Sequence, residues 1–205
     1  MTRRHAIFSL IQVAAIVSFS PIAAHAGKFN KVLSIGDAAP EWKELTGVDD
    51  KPHSAADYKA AKLMVVVFTC NHCPVAQGYQ DRMIELQKTY AAKGLQLVAI
   101  SVNNQPSDRL DKMKERAKEK AYNFPYLHDA SQKSGAAFGA AVTPHIFLLD
   151  GQRKIAYMGS FDDSLDPGDV QKHYLKNAIE ALLAGKQPET KETRPLGCSI
   201  EYERP

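Results

Sequence analysis

Cys70-Asn71-His72-Cys73 follows directly on the apolar run Leu63-Met64-Val65-Val66-Val67-Phe68. A short continuous apolar run without polar alternation reads as a strand buried on both faces, as the central strands of α/β sheets are. Such a strand ends by delivering the cysteine pair to the start of a helix, where free N–H groups and partial positive charge favour a thiolate. That placement suits dithiol–disulfide chemistry, because the thiolate is the nucleophile and a second sulfur is near enough to close the disulfide. Spacing alone is ambiguous, since Cys-x-x-Cys is also half of many zinc sites. No second Cys-x-x-Cys and no His-x-x-x-His exists in the chain to complete a structural zinc site.

The N-terminus sets the compartment. Arg3, Arg4 and His5 form a basic stretch, residues 6–20 are mostly apolar, Pro21 breaks the run, and Ala24-His25-Ala26 is a small-x-small cleavage signal. Residues 1–26 are therefore read as a signal peptide of the ordinary secretory kind, and the mature protein as periplasmic or extracellular. The apolar run is too short and interrupted for a membrane span, so no stable membrane association is expected after cleavage. The leader takes Arg3 and Arg4 from the 26 Lys+Arg and nothing from the 23 Asp+Glu, leaving a nearly neutral remainder that gives nucleic acid no basic surface. Outside the cytoplasm a disulfide can persist. Three cysteines are too few for a disulfide scaffold, and one dithiol plus one extra thiol is the simplest reading.

Residues 27–34 read as a flexible entry and Asp49-Asp50-Lys51-Pro52 as a turn. A short helix is expected over 54–61, the buried strand over 63–68, and a helix over 79–93 closed by Gly94. The next strand is 95–102, followed by a charged helix to about residue 121, capped by Ser107 or Asp108. An extended piece at 124–127 and a small helix at 130–138 precede a hairpin, with strands 145–149 and 154–158 about the Asp150-Gly151 turn. A helix over 170–183 closes a domain spanning 27–188, leaving 189–205 as a tail. Parallel strands joined by helices, then one antiparallel pair, give an α/β mixed sheet.

This order, with the entry Ile35-Gly36-Asp37-Ala38-Ala39-Pro40, the motif Phe68-Thr69-Cys70-Asn71-His72-Cys73-Pro74, the segment Val142-Thr143-Pro144 and the extra helix near 108–120, resembles the redoxin branch of the thioredoxin-like proteins, the alkyl hydroperoxide reductase/thiol-specific antioxidant family. The resemblance covers residues 33–185. It implies a thioredoxin fold, a central mixed sheet flanked by helices, with an N-terminal extension and a helical insertion. It implies a thiol-disulfide oxidoreductase that needs no cofactor, its partners being client protein thiols or disulfides and an electron donor or acceptor.

Placement and resemblance agree on Cys70 as the nucleophile, on the more exposed side of the turn, with Cys73 in the helix's first turn resolving the mixed disulfide. A partly protonated His72 beside the pair would stabilise the Cys70 thiolate. Each tenfold stabilisation of the reduced form raises the potential by about 30 mV, so a pair more oxidising than thioredoxin's is expected. The resemblance makes Thr143-Pro144 the cis bond facing the dithiol, with the Thr143 backbone pairing an extended substrate segment. Cys198, in the tail, is an additional redox candidate: a second resolving cysteine, an intermolecular link or a free thiol.

Two alternatives stand beside this reading. One is a peroxide-reducing redoxin using Cys70 with Cys73 or Cys198, although Val67 stands where the peroxide-binding threonine of peroxiredoxins would be. The other is a copper- or zinc-binding chaperone, holding its metal on Cys70, Cys73 and His145. The buried acid that thioredoxin keeps six positions before its first cysteine is here Met64, so proton handling must come from His72, water or elsewhere.

Overall fold

The computed structural model describes residues 26–203. The expected leader lies outside them but for Ala26. The strands are β1 (Leu45–Gly47), β2 (Pro52–His53), β3 (Leu63–Phe68), β4 (Leu95–Ser101), β5 (Tyr126–His128), β6 (Val142–Thr143), β7 (His145–Leu149), β8 (Ile155–Gly159) and β9 (Cys198–Ser199). The α-helices are α1 (Pro74–Gly78), α2 (Gln80–Tyr90), α3 (Leu110–Glu119), α4 (Lys133–Phe138) and α5 (Tyr174–Leu183).

Seven strands form one mixed sheet in the order β2-β1-β5-β4-β3-β7-β8, and β6 pairs with β9 in a second, two-stranded sheet. β3 runs parallel to β4 and antiparallel to β7, so it lies in the middle with both edges bonded. Every residue of β3 is buried, which is why the run in the sequence does not alternate. Leu63, Val65 and Val67 face an apolar layer with Met83 and Leu86 of α2 and Leu175 and Ile179 of α5. Met64, Val66 and Phe68 face the opposite layer, with Trp42, Phe138 of α4 and Ile200 of the tail. Each fully buried side chain of this size stabilises the fold by about 1.5–3 kcal/mol. The motif that follows Phe68 is thereby held at the end of a wholly buried central strand.

Several local expectations need correction. The helix expected over 79–93 begins at Pro74, breaks at Tyr79 and tightens into a 3-10 turn at Ala91–Lys93, where Gly94 closes it at φ 90°. Cys73 is the N-cap of α1, preceding its first turn, and its sulfur accepts the Ala76 N–H at 3.5 Å. Neither Ser107 nor Asp108 caps the charged helix. Pro106–Asp108 is a 3-10 turn, the N-cap of α3 is Arg109, and the Asp108 side chain points elsewhere.

The entry and the tail are tied down. The Glu192 carboxylate accepts the backbone N–H groups of Lys28, Phe29 and Asn30 at 2.8, 2.6 and 3.1 Å. Residues 191–193 run along β8, with Met158 N–H donating to Lys191 and Thr193 N–H to Met158, so the tail covers a sheet edge that would otherwise be open. Beyond it, the amide of Gln132 donates to the Glu201 carbonyl at 2.9 Å and accepts the Glu203 N–H at 2.7 Å. Among the described residues no helix is long and apolar enough to cross a membrane.

Candidate functional site

β3 and β4 are parallel neighbours, so the chain leaves both at the same end of the sheet. The segment after β3 carries Cys70 to Cys73, and the segment after β4 carries Asn103 and Asp108. The Asp108 side chain is fully buried. One of its oxygens accepts the backbone N–H groups of Asn71 and His72 at 2.7 and 3.2 Å. The other pairs with His72 Nδ1 at 2.5 Å. Asn71 Nδ2 donates to the Ser107 carbonyl and its Oδ1 accepts the Tyr126 hydroxyl. Asp108 thus fixes the turn between the cysteines from outside the motif, and it orients the imidazole.

Cys70 does not occupy the exposed position expected of it. It is 1% exposed and Cys73 is 0% exposed. Cys73 is bonded not to Cys70 but to Cys198, 125 positions away, with Cα atoms 5.9 Å apart. Cys70 is a free, buried thiol. Burial pushes its pKa up, and the Asp108 carboxylate adds to that. The Thr143 hydroxyl at 3.1 Å and the Cys73 N–H act the other way, with the side-chain amide of Asn103 nearby. In this form desolvation outweighs them, so the Cys70 pKa is raised rather than lowered as expected. The helix N–H expected to serve Cys70 goes to Cys73, and the His72 ring lies beside Cys70 as expected but is also engaged by Asp108.

Thr143 touches both motif sulfurs. Its hydroxyl lies 3.1 Å from Cys70 Sγ, and its carbonyl oxygen 3.1 Å from Cys73 Sγ. In the disulfide that sulfur has no proton; as a thiol it could donate there. The Thr143–Pro144 bond is cis, as the resemblance implied. On its far side β6 pairs with β9 in antiparallel register, Thr143 opposite Cys198 and Val142 opposite Ser199.

The metal set Cys70, Cys73 and His145 is not brought together. Cys73 is consumed by its disulfide. His145 lies 2% exposed in β7, its ring against Phe147, with Nδ1 toward the Ala141 N–H. Among the described residues, the group that gathers three possible ligand atoms is Cys70, His72 and Asp108, all within 4.8 Å of one another. Both Asp108 oxygens already hold N–H groups of the turn, so the geometry is that of a positioned thiol rather than a cage. Met64, where thioredoxin keeps its acid, packs in the apolar layer, and Val67 packs in the layer opposite. The buried acid near the motif is Asp108, reached from the next strand.

Sequence reasoning missed Asp108 and Asn103 as parts of this site, although parallel β3 and β4 already required the segments after them to meet. It also left the partner of Cys198 open.

The comparisons fit this geometry. A conserved protein of uncharacterised role from Geobacillus kaustophilus is 34% identical, matching 85% of this chain and 95% of its own, with a TM-score of 0.78. A hypothetical protein from Sinorhizobium meliloti 1021 is 32% identical over 85% of this chain and 97% of its own, with a TM-score of 0.78. A thiol:disulfide interchange protein of the thioredoxin family from Chlorobium tepidum TLS is 27% identical over 61% of this chain and 86% of its own, with a TM-score of 0.52. A search of curated proteins finds no match. The fold is the thioredoxin fold, with the N-terminal hairpin β1–β2 extending the sheet and α3 inserted after β4. Residues 34–173 match the model of the Redoxin family, which takes in the motif, the Asp108 turn and the cis-proline, and the chain belongs to that family.

Proposed function

We propose that this redoxin is an exported thiol-disulfide oxidoreductase whose nucleophile is Cys70. The observation that carries the reading is the meeting of all three cysteines at Thr143. Cys70 and Cys73 touch Thr143 itself, and Cys198 lies opposite it on the paired strand. The Cys70 thiolate attacks a client disulfide; a Cys70–client bond forms and the client's other sulfur leaves, taking up a proton. The Cys73 thiolate then attacks Cys70, forming the Cys70–Cys73 disulfide and releasing the second client thiol. The client is reduced by two electrons and the protein oxidised by two; the reverse sequence oxidises client thiols. His72, within the motif and held by Asp108, has a ring nitrogen within 4.8 Å of Cys70 Sγ and is placed to take and return the proton. The leader-like N-terminus and a disulfide between distant cysteines support a periplasmic or extracellular setting.

Disulfide exchange is favoured over peroxide reduction because Val67 supplies no hydroxyl and its side chain is buried in the core. The fully reduced protein is therefore expected to reduce a peptide disulfide rapidly while consuming hydrogen peroxide within about tenfold of a free cysteine of equal thiolate fraction. Stopped-flow traces of both reactions check this. Peroxide turnover orders of magnitude above that level would reverse the preference.

A further inference from the structure

The edge that would receive a client is filled by the chain's own tail. β9 lies antiparallel to β6, with Cys198 opposite Thr143, beside the cis-proline, and its sulfur is bonded to Cys73. A client strand on this edge would take the same position beside the dithiol, with its sulfur on Cys70 where the tail's is on Cys73. The tail is thus laid out along the edge as a client strand would be, and its contacts report what the edge accepts.

Two of those contacts are selective. A Cβ on Gly197 would collide with the carbonyl of Thr143 and stand 3.1 Å from the Pro144 nitrogen. The obstacles are backbone atoms, so no side chain can swing aside to make room. Ile200, two residues after the cysteine, donates its N–H to the Ala141 carbonyl at 3.0 Å. Its side chain, 8% exposed, joins the apolar layer containing Val102, Leu127 and Phe138. Ser199 between them is exposed.

We propose that residues 197–200 are a built-in occupant of the client edge, and that this edge selects extended polypeptides whose cysteine is preceded by glycine and followed two residues later by an aliphatic side chain. This rests on the exchange reaction proposed above. The tail is unlocked without any outside reductant. The Cys70 thiolate attacks Cys73 Sγ, the Cys73–Cys198 bond breaks as the Cys70–Cys73 bond forms, and Cys198 leaves as a thiolate that takes up the proton Cys70 gave up. No net oxidation occurs. The edge is then held only by non-covalent contacts, which a client strand bearing a thiol can replace; its thiolate attacks Cys70, and Cys73 leaves as the thiolate.

The test uses the full chain carrying Cys198→Ser, fully reduced, and three short peptides activated at cysteine as disulfides with a chromogenic aryl thiol. Their central sequences are Gly-Cys-Ser-Ile, Ala-Cys-Ser-Ile and Gly-Cys-Ser-Asp, and the symmetrical aryl disulfide reports intrinsic reactivity. The first peptide is expected to release aryl thiol about tenfold or more faster than either of the others. Equal rates for the three peptides, within about twofold, with the aryl disulfide still reacting, would overturn the selectivity and leave the exchange reading standing. Failure of the aryl disulfide as well would overturn both. A second measurement keeps all cysteines: Gly197→Ala should lower the effective concentration of Cys198 toward Cys73, read by glutathione titration, by about tenfold or more. An unchanged value would mean that Gly197 sets no limit on what the edge holds.

Discussion

Cys70→Ser is expected to lower exchange with peptide disulfides by at least about a thousandfold, since loss of a nucleophile removes the reaction's first covalent step. The Cys73–Cys198 disulfide should persist in this variant, because Cys198 is placed by the pairing of β9 with β6 and by the anchored segments on either side of it. Cys198→Ser should behave oppositely. It removes the lock and leaves Cys70 and Cys73, so exchange with a small disulfide should continue and begin without a lag. Both variants are measured against the same disulfide at the same pH. Loss of activity in Cys198→Ser with retention in Cys70→Ser would exchange the roles assigned to the two sulfurs.

The second large effect concerns stability rather than turnover. His145 is buried in β7, and desolvation holds its pKa down at about 4 against the ordinary 6.5. The folded state keeps the ring neutral, whereas the unfolded chain protonates it below about pH 6.5. Between these values the unfolded state binds more protons, so stability falls as pH falls, by about 3 kcal/mol in all. Above pH 6.5 the effect is absent, and below pH 4 it is complete. Denaturant unfolding of the parent and His145→Asn from pH 7.5 to 4 should show the parent losing that much more. Parallel pH profiles would mean the ring is not held neutral by burial.

Much of the frame was legible in the sequence. The run 63–68 read as a strand buried on both faces, and its odd and even residues do serve opposite apolar layers. Gly94 closing a helix followed from local chemistry, as did a hairpin after 145–149, although its turn runs from Asp150 to Arg153 with Arg153, not Gly151, in the left-handed region. Pro144 could not be read as cis from its neighbours; the family resemblance carried that expectation, and the structure has it.

What escaped the sequence depends on contacts between distant positions. Asp108 looked like a helix cap because a cap is the local use of such a residue, yet its carboxylate serves N–H groups 37 and 36 positions away. The tail looked free because nothing local orders it. Its course is set by Glu192 at the entry, by the edge of β8 and by Gln132. The expected oxidising bias from His72 took the imidazole as beside Cys70 and unshared. A ring nitrogen does lie within 4.8 Å of Cys70 Sγ, but the ring is shared with Asp108, a partner the sequence did not show.

The central claim, that Cys70 meets the client, is tested most directly by trapping. Cys73→Ser removes the sulfur that would resolve the Cys70–client bond and frees Cys198 from its partner. Exposed to a labelled peptide disulfide and digested under acid quench, this variant should carry the label on Cys70 as a stable mixed disulfide. Label confined to Cys198, with Cys70 recovered as a free thiol, would contradict the account.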